Sequence, residues 1–220
     1  MLGSVLTLFQ DVEDILTKHF SASGQDLLTS FRTAELTGKM LRENQVEFSF
    51  NTYLKKPGKI RVDIKSEAST FSQIVNGKSG WYVTSDDADK LPRSEVENLL
   101  SQWSIDVPLW NAKNDKSQIE FSGKKTINDG RYFHLMVSTT NSRMNYFINE
   151  KTHLLFRTIE EQLGSPKVII ETTYLNYRDF GGIKIPMLIQ SIGPNGKLQI
   201  FLDDIVYDAA VSDALFTKPE

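Results

Sequence analysis

The side chains with the widest chemical reach in this sequence are its three histidines, His19, His134 and His153. Histidine titrates near neutral pH and ligates metals, but two histidines on one element need a spacing such as His-x-x-x-His to share an ion. His19 falls in a helical pattern, His134 inside a strand pattern and His153 in a hairpin loop, so no pair is set for that. The acidic run Asp86-Asp87-Ala88-Asp89 invites comparison with a calcium loop, which needs oxygen ligands at its first, third and fifth positions and glycine at its sixth. Counted from Asp87, the fifth position is Leu91 and the sixth Pro92, and the pattern fails. Glu160-Glu161 and Asp203-Asp204 each lie within one strand pattern. Adjacent side chains on a strand face opposite sides, so neither pair can share a reacting atom. There is no Gly-x-Ser-x-Gly elbow, no phosphate-binding loop and no Gly-x-Gly-x-x-Gly; Gly181-Gly182 reads as a turn. The chain has no cysteine, which removes disulfides, thiolate metal sites and a cysteine nucleophile, and also a lipid-modified cysteine. The expectation is a chain that is not an enzyme and uses no catalytic residue, metal or cofactor.

The elements that would carry any site are mostly strands. The chain has 220 residues, 40% of them hydrophobic and 24% charged, enough to bury a substantial core. Its net charge is −3, which gives no basic footprint for nucleic acid. Val5, Leu8, Phe9, Val12, Ile15, Leu16 and Phe20 recur at three- and four-residue spacing and predict a helix over 5–20 that ends at Gly24. The segment Met1–Gln10 is apolar but lacks a basic start and a small-residue cleavage site, so it does not read as an intact signal peptide. From about residue 32 the period changes to two. Val46, Phe48, Phe50, Thr52 and Leu54, then Pro57-Gly58, then Ile60, Val62 and Ile64 read as a hairpin with one apolar face. A second hairpin runs over 71–75 and 81–83 around Asn76-Gly77, and strands follow at about 117–127, 131–140, 143–149, 154–163, 167–179, 183–193 and 197–207. Their punctuation includes Asp129-Gly130, Asn141-Ser142, Gly164-Ser165-Pro166 and Asn195-Gly196. Linkers this short make neighbouring strands antiparallel.

One segment, about 85–115, interrupts the meander. Pro92 suits a first helical turn, and Val96, Leu99, Leu100 and Trp103 follow at helical spacing, predicting a helix over 92–103 and then a short irregular or helical piece through Leu109-Trp110. The sum is a mainly β (α+β) single domain over 1–220, an incomplete antiparallel barrel of about ten or eleven strands. Its concave face must be covered by the N-terminal helix and the 85–115 segment acting as a lid. Taken singly, Phe48, Phe50, Phe71, Trp81, Trp103 and Trp110 read as core. Taken together, two tryptophans on the one long insertion fit closure over an apolar ligand.

Several local matches, in this order, resemble the LolA/LolB-like periplasmic lipoprotein carriers and their outer-membrane lipoprotein-sorting relatives. They are Lys55-Lys56-Pro57-Gly58-Lys59-Ile60-Arg61-Val62, Asn76-Gly77-Lys78-Ser79-Gly80-Trp81-Tyr82, Asn149-Glu150-Lys151-Thr152-His153-Leu154 and Asp213-Ala214-Leu215-Phe216-Thr217-Lys218-Pro219. The resemblance implies a helix-lidded half-barrel in the periplasm, its signal peptide already removed. It implies a monomer that takes the acyl chain of a lipid or lipoprotein in a hydrophobic cavity and exchanges it with membrane lipoprotein-transfer proteins, for sorting to the outer membrane. The cavity residues it implies are Phe48, Phe50, Leu54, Ile60, Val62, Ile64, Trp81, Leu99, Trp103 and Trp110. In the carriers an arginine before the turn proline latches the lid; Lys56 stands there in this chain, as a latch, a headgroup contact or a snorkelling surface lysine. Three other readings stay open. One is a regulator or assembly factor that uses the same fold to bind a partner protein or sense lipid. Another is a hydrolase assembled from distant residues. The third is a purely structural protein with a filled core and no cavity.

Overall fold

Alternating apolar residues over most of the chain do form strands. The computed structural model describes residues 2–43, 46–67, 69–114, 117–140, 142–164 and 166–218, with side chains from residue 12 onward. The side chains of Val5, Leu8 and Phe9, the turn residues Asn141 and Ser165, and Pro219 of the closing segment lie outside the described residues.

Helix α1 (Leu2–Ser23) and the short α2 (Gln25–Ser30) precede strands β1 (Thr33–Arg42), β2 (Glu47–Lys55), β3 (Lys59–Lys65), β4 (Thr70–Asn76), β5 (Ser79–Val83) and β6 (Ala88–Lys90). Helices α3 (Arg93–Gln102) and α4 (Trp110–Asn114) follow. Strands β7 (Ile119–Ile127), β8 (Gly130–Ser138), β9 (Ser142–Asn149), β10 (Leu155–Gln162), β11 (Val168–Phe180), β12 (Ile183–Gly193) and β13 (Gly196–Tyr207) lead to one 3-10 turn, Asp213–Phe216. All thirteen strands lie in one sheet, in the order β6-β5-β4-β3-β2-β1-β13-β12-β11-β10-β9-β8-β7. The sheet is open, with β6 and β7 as its edges, so the chain is a mainly β, incomplete antiparallel barrel. Among the described residues no helix is long and apolar enough to cross a membrane.

Thirteen strands exceed the ten or eleven expected. The two that the patterning hides are β6, three residues long in an acidic stretch, and β1, whose Gly38 breaks the apolar alternation. Gly38 is there for space: a Cβ would strike the Phe201 carbonyl oxygen and the Phe50 ring. The chain also bends at Gly24 (φ +78°), between α1 and α2, where a Cβ would meet the Gly182 backbone.

Contacts divide the chain into two compact units, one of Met1–Thr29 with Asp106–Gln199 and one of Ser30–Ile105 with Ile200–Glu220. In the first, Val12, Ile15, Leu16 and Phe20 of α1 are buried with Leu109, Leu135, Val137, Ile148 and Leu155. His19 sits among them, fully buried, and its Nδ1 makes a 2.8 Å hydrogen bond with the His153 carbonyl. In the second, Ile60, Val62 and Val75 form one buried face, and Ile74 with Val211 and Phe216 lies buried on the other.

Two expectations follow. Gly38→Ala forces backbone and ring apart, so urea titration should show a loss of about 1–3 kcal/mol, the usual cost of overpacking. Burial pushes the His19 imidazole below its ordinary value of 6.5, while the His153 and Pro108 carbonyls act more weakly in the opposite direction. The unfolded chain therefore binds the proton more tightly, and stability falls as pH drops below about 6.5 through the lower folded value. His19→Asn should flatten the pH dependence of the urea midpoint between about pH 7 and 5; an unchanged slope would remove His19 from the acid response.

Candidate functional site

The residues implied as cavity lining divide between the two units. In the second unit, register places Phe50 opposite Ile64, Thr52 opposite Val62 and Leu54 opposite Ile60, all on one face because directly paired residues share a face. Gly80, paired with Val75, continues that face. Helix α3 crosses it, since a Cβ on Gly80 would stand 2.9 Å from Val96. Phe50, Leu54, Ile60, Val62, Ile64, Val96 and Leu99 are all buried. Trp103 tilts over Phe50 with ring centroids 5.6 Å apart, and Phe48 is half-buried under the Arg42 guanidinium. This row is a packed helix-on-sheet interior.

Trp81 does not share it. Trp81 pairs with Ile74, and Ile74 with Arg61, which puts all three on the opposite face. There Trp81 packs against Ile74, Val211 and Phe216. The chain's last described stretch is held to that face by Lys59 and Lys55, 2.6 and 3.2 Å from the Asp213 carboxylate. Trp110 is also elsewhere: it belongs to the first unit, edge-on to Phe20 of α1 at 5.1 Å. The two tryptophans expected to close one lid thus pack in different units. The helical spacing that suggests one lid is real for α3, but the chain already belongs to the first unit from Asp106, before it reaches Trp110.

Lys56 follows the end of β2, half-buried, and its backbone N–H donates to the Arg32 carbonyl at 2.8 Å. The polar tie on the segment after α3 comes from a residue that patterning does not single out, Gln25. Its side chain is fully buried. Its amide nitrogen donates to the Asp106 carboxylate at 2.8 Å and to Thr29 Oγ1 at 3.2 Å, and its amide oxygen accepts from the Val107 N–H at 2.9 Å. In the sequence the only hint is a glutamine directly after a helix-ending glycine, with nothing to show that it is buried.

The first unit has a different surface. Ile183 is the only fully buried residue in β11 and β12. On the α1 side of the sheet, register runs one cross-strand row through Phe121, Leu135, Tyr146, Thr158, Thr172 and Ser191. The next row is Ile119, Val137, Met144, Glu160 and Ile170. Tyr174 and Ile189 pair beyond Thr172 on the same face. The face is apolar beneath α1, over β7 to β9, and lined with hydroxyls over β10 to β12. Thr172 and Ser191 hydroxyls bond each other at 2.8 Å. Burial raises the Tyr146 phenol well above its ordinary value, with Tyr174 and Glu160 adding to the shift. Burial likewise raises Tyr174, against a weaker hydrogen bond from Thr158. These phenols stay neutral and serve as hydrogen-bonding groups on a greasy surface.

Neither His134 nor His153 joins this face in a reactive arrangement. His134 faces the other side of the sheet, its Nε2 2.9 Å from Asn145 Oδ1, and His153 stacks on Phe133. The Gln25 tie has a measurable consequence. Gln25→Ala removes its bonds to Thr29, Asp106 and the Val107 N–H, so hydrogen exchange at 105–110 should accelerate, with a stability loss of about 2 kcal/mol. Unchanged protection would mean that apolar packing alone holds the segment.

Neither a family model nor a curated protein sequence matches this chain. Solved structures do. A LolA-superfamily protein of Nitrosomonas europaea superposes with a TM-score of 0.62 at 13% identity, over 94% of this chain and 97% of that one. An outer-membrane lipoprotein-sorting protein domain of Vibrio parahaemolyticus gives 0.66 at 11% identity, over 93% and 95%. A DUF1329-family protein of Desulfovibrio piger gives 0.62 at 16%, over 92% and 97%. At these identities the likeness is one of architecture, and the architecture of this chain is that of the LolA superfamily and the lipoprotein-sorting domains.

Proposed function

We propose that this chain is a non-enzymatic periplasmic carrier that binds the acyl chain of a lipid or lipoprotein against the α1-side face of β10 to β12. The observation that carries the reading is the contrast in cover. The apolar face of β2 and β3 is buried under α3, whereas Ile170, Tyr174 and Ile189 of β11 and β12 stay half-buried. Half-covered apolar surface next to a finished core is what a transient hydrocarbon ligand needs. Each methylene that leaves water contributes about 0.8 kcal/mol, partly offset by the cost of ordering the chain. Release then needs a competing apolar surface and no bond chemistry. The architecture shared with a lipoprotein-sorting domain supports the same assignment, and it is the ground for placing the protein in the periplasm.

This reading moves the binding residues away from the Phe50–Val62 row toward Ile170, Tyr174 and Ile189. Gln25 fixes the segment after α3. The test is uptake of a fluorescent fatty acid together with native mass spectrometry of the purified protein. Wild type should bind one acyl chain, and Ile189→Asp should weaken binding by about tenfold or more while circular dichroism stays native, because the substitution sets an unpaired charge against hydrocarbon. Val62→Asp should instead unfold the second unit, since Val62 is core. A native, ligand-free protein that takes up no acyl chain would favour the partner-binding regulator. The exposed Ile169 and Ile192 on the opposite face, at 49% and 55%, would then be the first place to look.

A further inference from the structure

The two cross-strand rows on the α1-side face of the first unit hold apolar and hydroxyl side chains and one carboxylate. Glu160 stands between Met144 on β9 and Ile170 on β11, in a row that Ile119 and Val137 complete. On the other face of the same strands, acids are matched by cations. Glu161 pairs with Lys167 at 2.8 Å and Glu171 with Arg157 at 3.2 Å. Glu160 has no such match among the described residues; its carboxylate accepts a 3.1 Å hydrogen bond from Gln162, two residues along. A half-buried carboxylate in apolar surroundings loses hydration, and a cation brought to it restores what it has lost. Nothing about fold stability asks for the charge at this position, since isoleucine, methionine and valine fill the rest of the row.

The position relative to the hydrocarbon face adds to this. Along β10 the side chains on this face run from Thr158, buried beside Tyr146 and Tyr174, to half-buried Glu160 and then to exposed Gln162. Glu160 therefore lies at the solvent end of a face whose other end is greasy. An amphiphile laid along it with its chain toward α1 would bring its head to Glu160, with the Thr172 and Ser191 hydroxyls alongside.

From this geometry we infer that the site selects amphiphiles with a cationic, primary-ammonium head, and that Glu160 is the selecting residue. The inference rests on the lipid-binding reading above. It adds the class of head group, which an apolar surface by itself leaves open.

The test compares three probes of equal chain length, dodecylamine, dodecanol and dodecanoate, each kept below its micelle concentration. Displacement of the neutral fluorophore phenylnaphthylamine from the full chain is measured at neutral pH. Wild type should prefer dodecylamine over dodecanol by about fivefold, the scale of a partly exposed ion pair, with dodecanoate weakest. Glu160→Gln should abolish that preference while leaving dodecanol unchanged, and Glu160→Lys should invert it toward dodecanoate. An order of affinities that these substitutions do not move, or a wild type that takes dodecanoate as well as dodecylamine, overturns the role of Glu160 and leaves lipid binding standing. Failure of all three probes to displace, or of the fluorophore to bind, overturns lipid binding itself.

Discussion

The constraint on which this structure depends is cover. A strand of alternating side chains has two faces, and an apolar face must meet something other than water. The second unit answers on both sides: α3 lies across the Phe50–Val62 face, and the segment ending in Phe216 seals the face that carries Ile74 and Trp81. The first unit has α1 together with Val107, Leu109, Trp110 and Ala112 of the segment after Ile105. Helix α1 reaches Leu135, Val137, Ile148 and Leu155, which belong to β8, β9 and the start of β10. It also touches β12, and Tyr174 of β11 packs against the same core, yet of β11 and β12 only Ile183 is fully buried, and Ile170, Tyr174 and Ile189 stay half-buried.

A surface left in that state must be stable both empty and filled. Hydroxyl groups are the means. Thr172 and Ser191 bond each other, Tyr177 donates to the Leu155 carbonyl at 2.6 Å, and Thr158 serves Tyr174. A hydroxyl paired within the protein carries little penalty when hydrocarbon displaces water from above it, because its partner does not leave. An unbroken isoleucine and leucine face of the same extent would be an aggregation hazard when empty. A mixed face of this kind trades hydrocarbon affinity for solubility, which the carrier role proposed above would require.

Much of the fold was legible in the sequence. Period-two alternation through Val46–Leu54 and Ile60–Ile64, and the turn pairs that punctuate residues 115–207, carry the antiparallel meander directly. What was not legible had physical causes. Strand parity fixes which residues share a face within one strand, but not how registers combine across strands. Sequence parity alone leaves Trp81 free to share a face with Val62, while its pairing with Ile74 puts it on the reverse side. Trp110 stands only seven residues from Trp103 in sequence, yet the chain passes from the second unit to the first between Ile105 and Asp106, and Trp110 packs in the other core. The half-covered face of β11 and β12 has no pattern of its own, since half-buried and buried isoleucines look alike in a sequence. Glu160 was seen, but only as one of two adjacent acids that cannot cooperate. Its distinction is what flanks it on β9 and β11, which only register can show.

These placements bear on how a ligand would enter. A lid that carries both tryptophans and swings as one body would need α3 and the 106–114 segment to move together. Each is instead committed to its own unit. Val96 and Leu99 of α3 are buried against β4 and β5, while Gln25 and Phe20 hold the segment that begins at Asp106. Lifting α3 would expose two large apolar side chains at about 1.5–3 kcal/mol each. Freeing the other segment would strip the buried amide of Gln25 as well. Access to the face of β10 to β12 requires neither, because the strands there are already half open to solvent. On the proposed lipid-binding reading, lateral approach over β11 and β12 with both helical segments in place would cost less than opening a lid, and would bring the head group first to the Glu160 end.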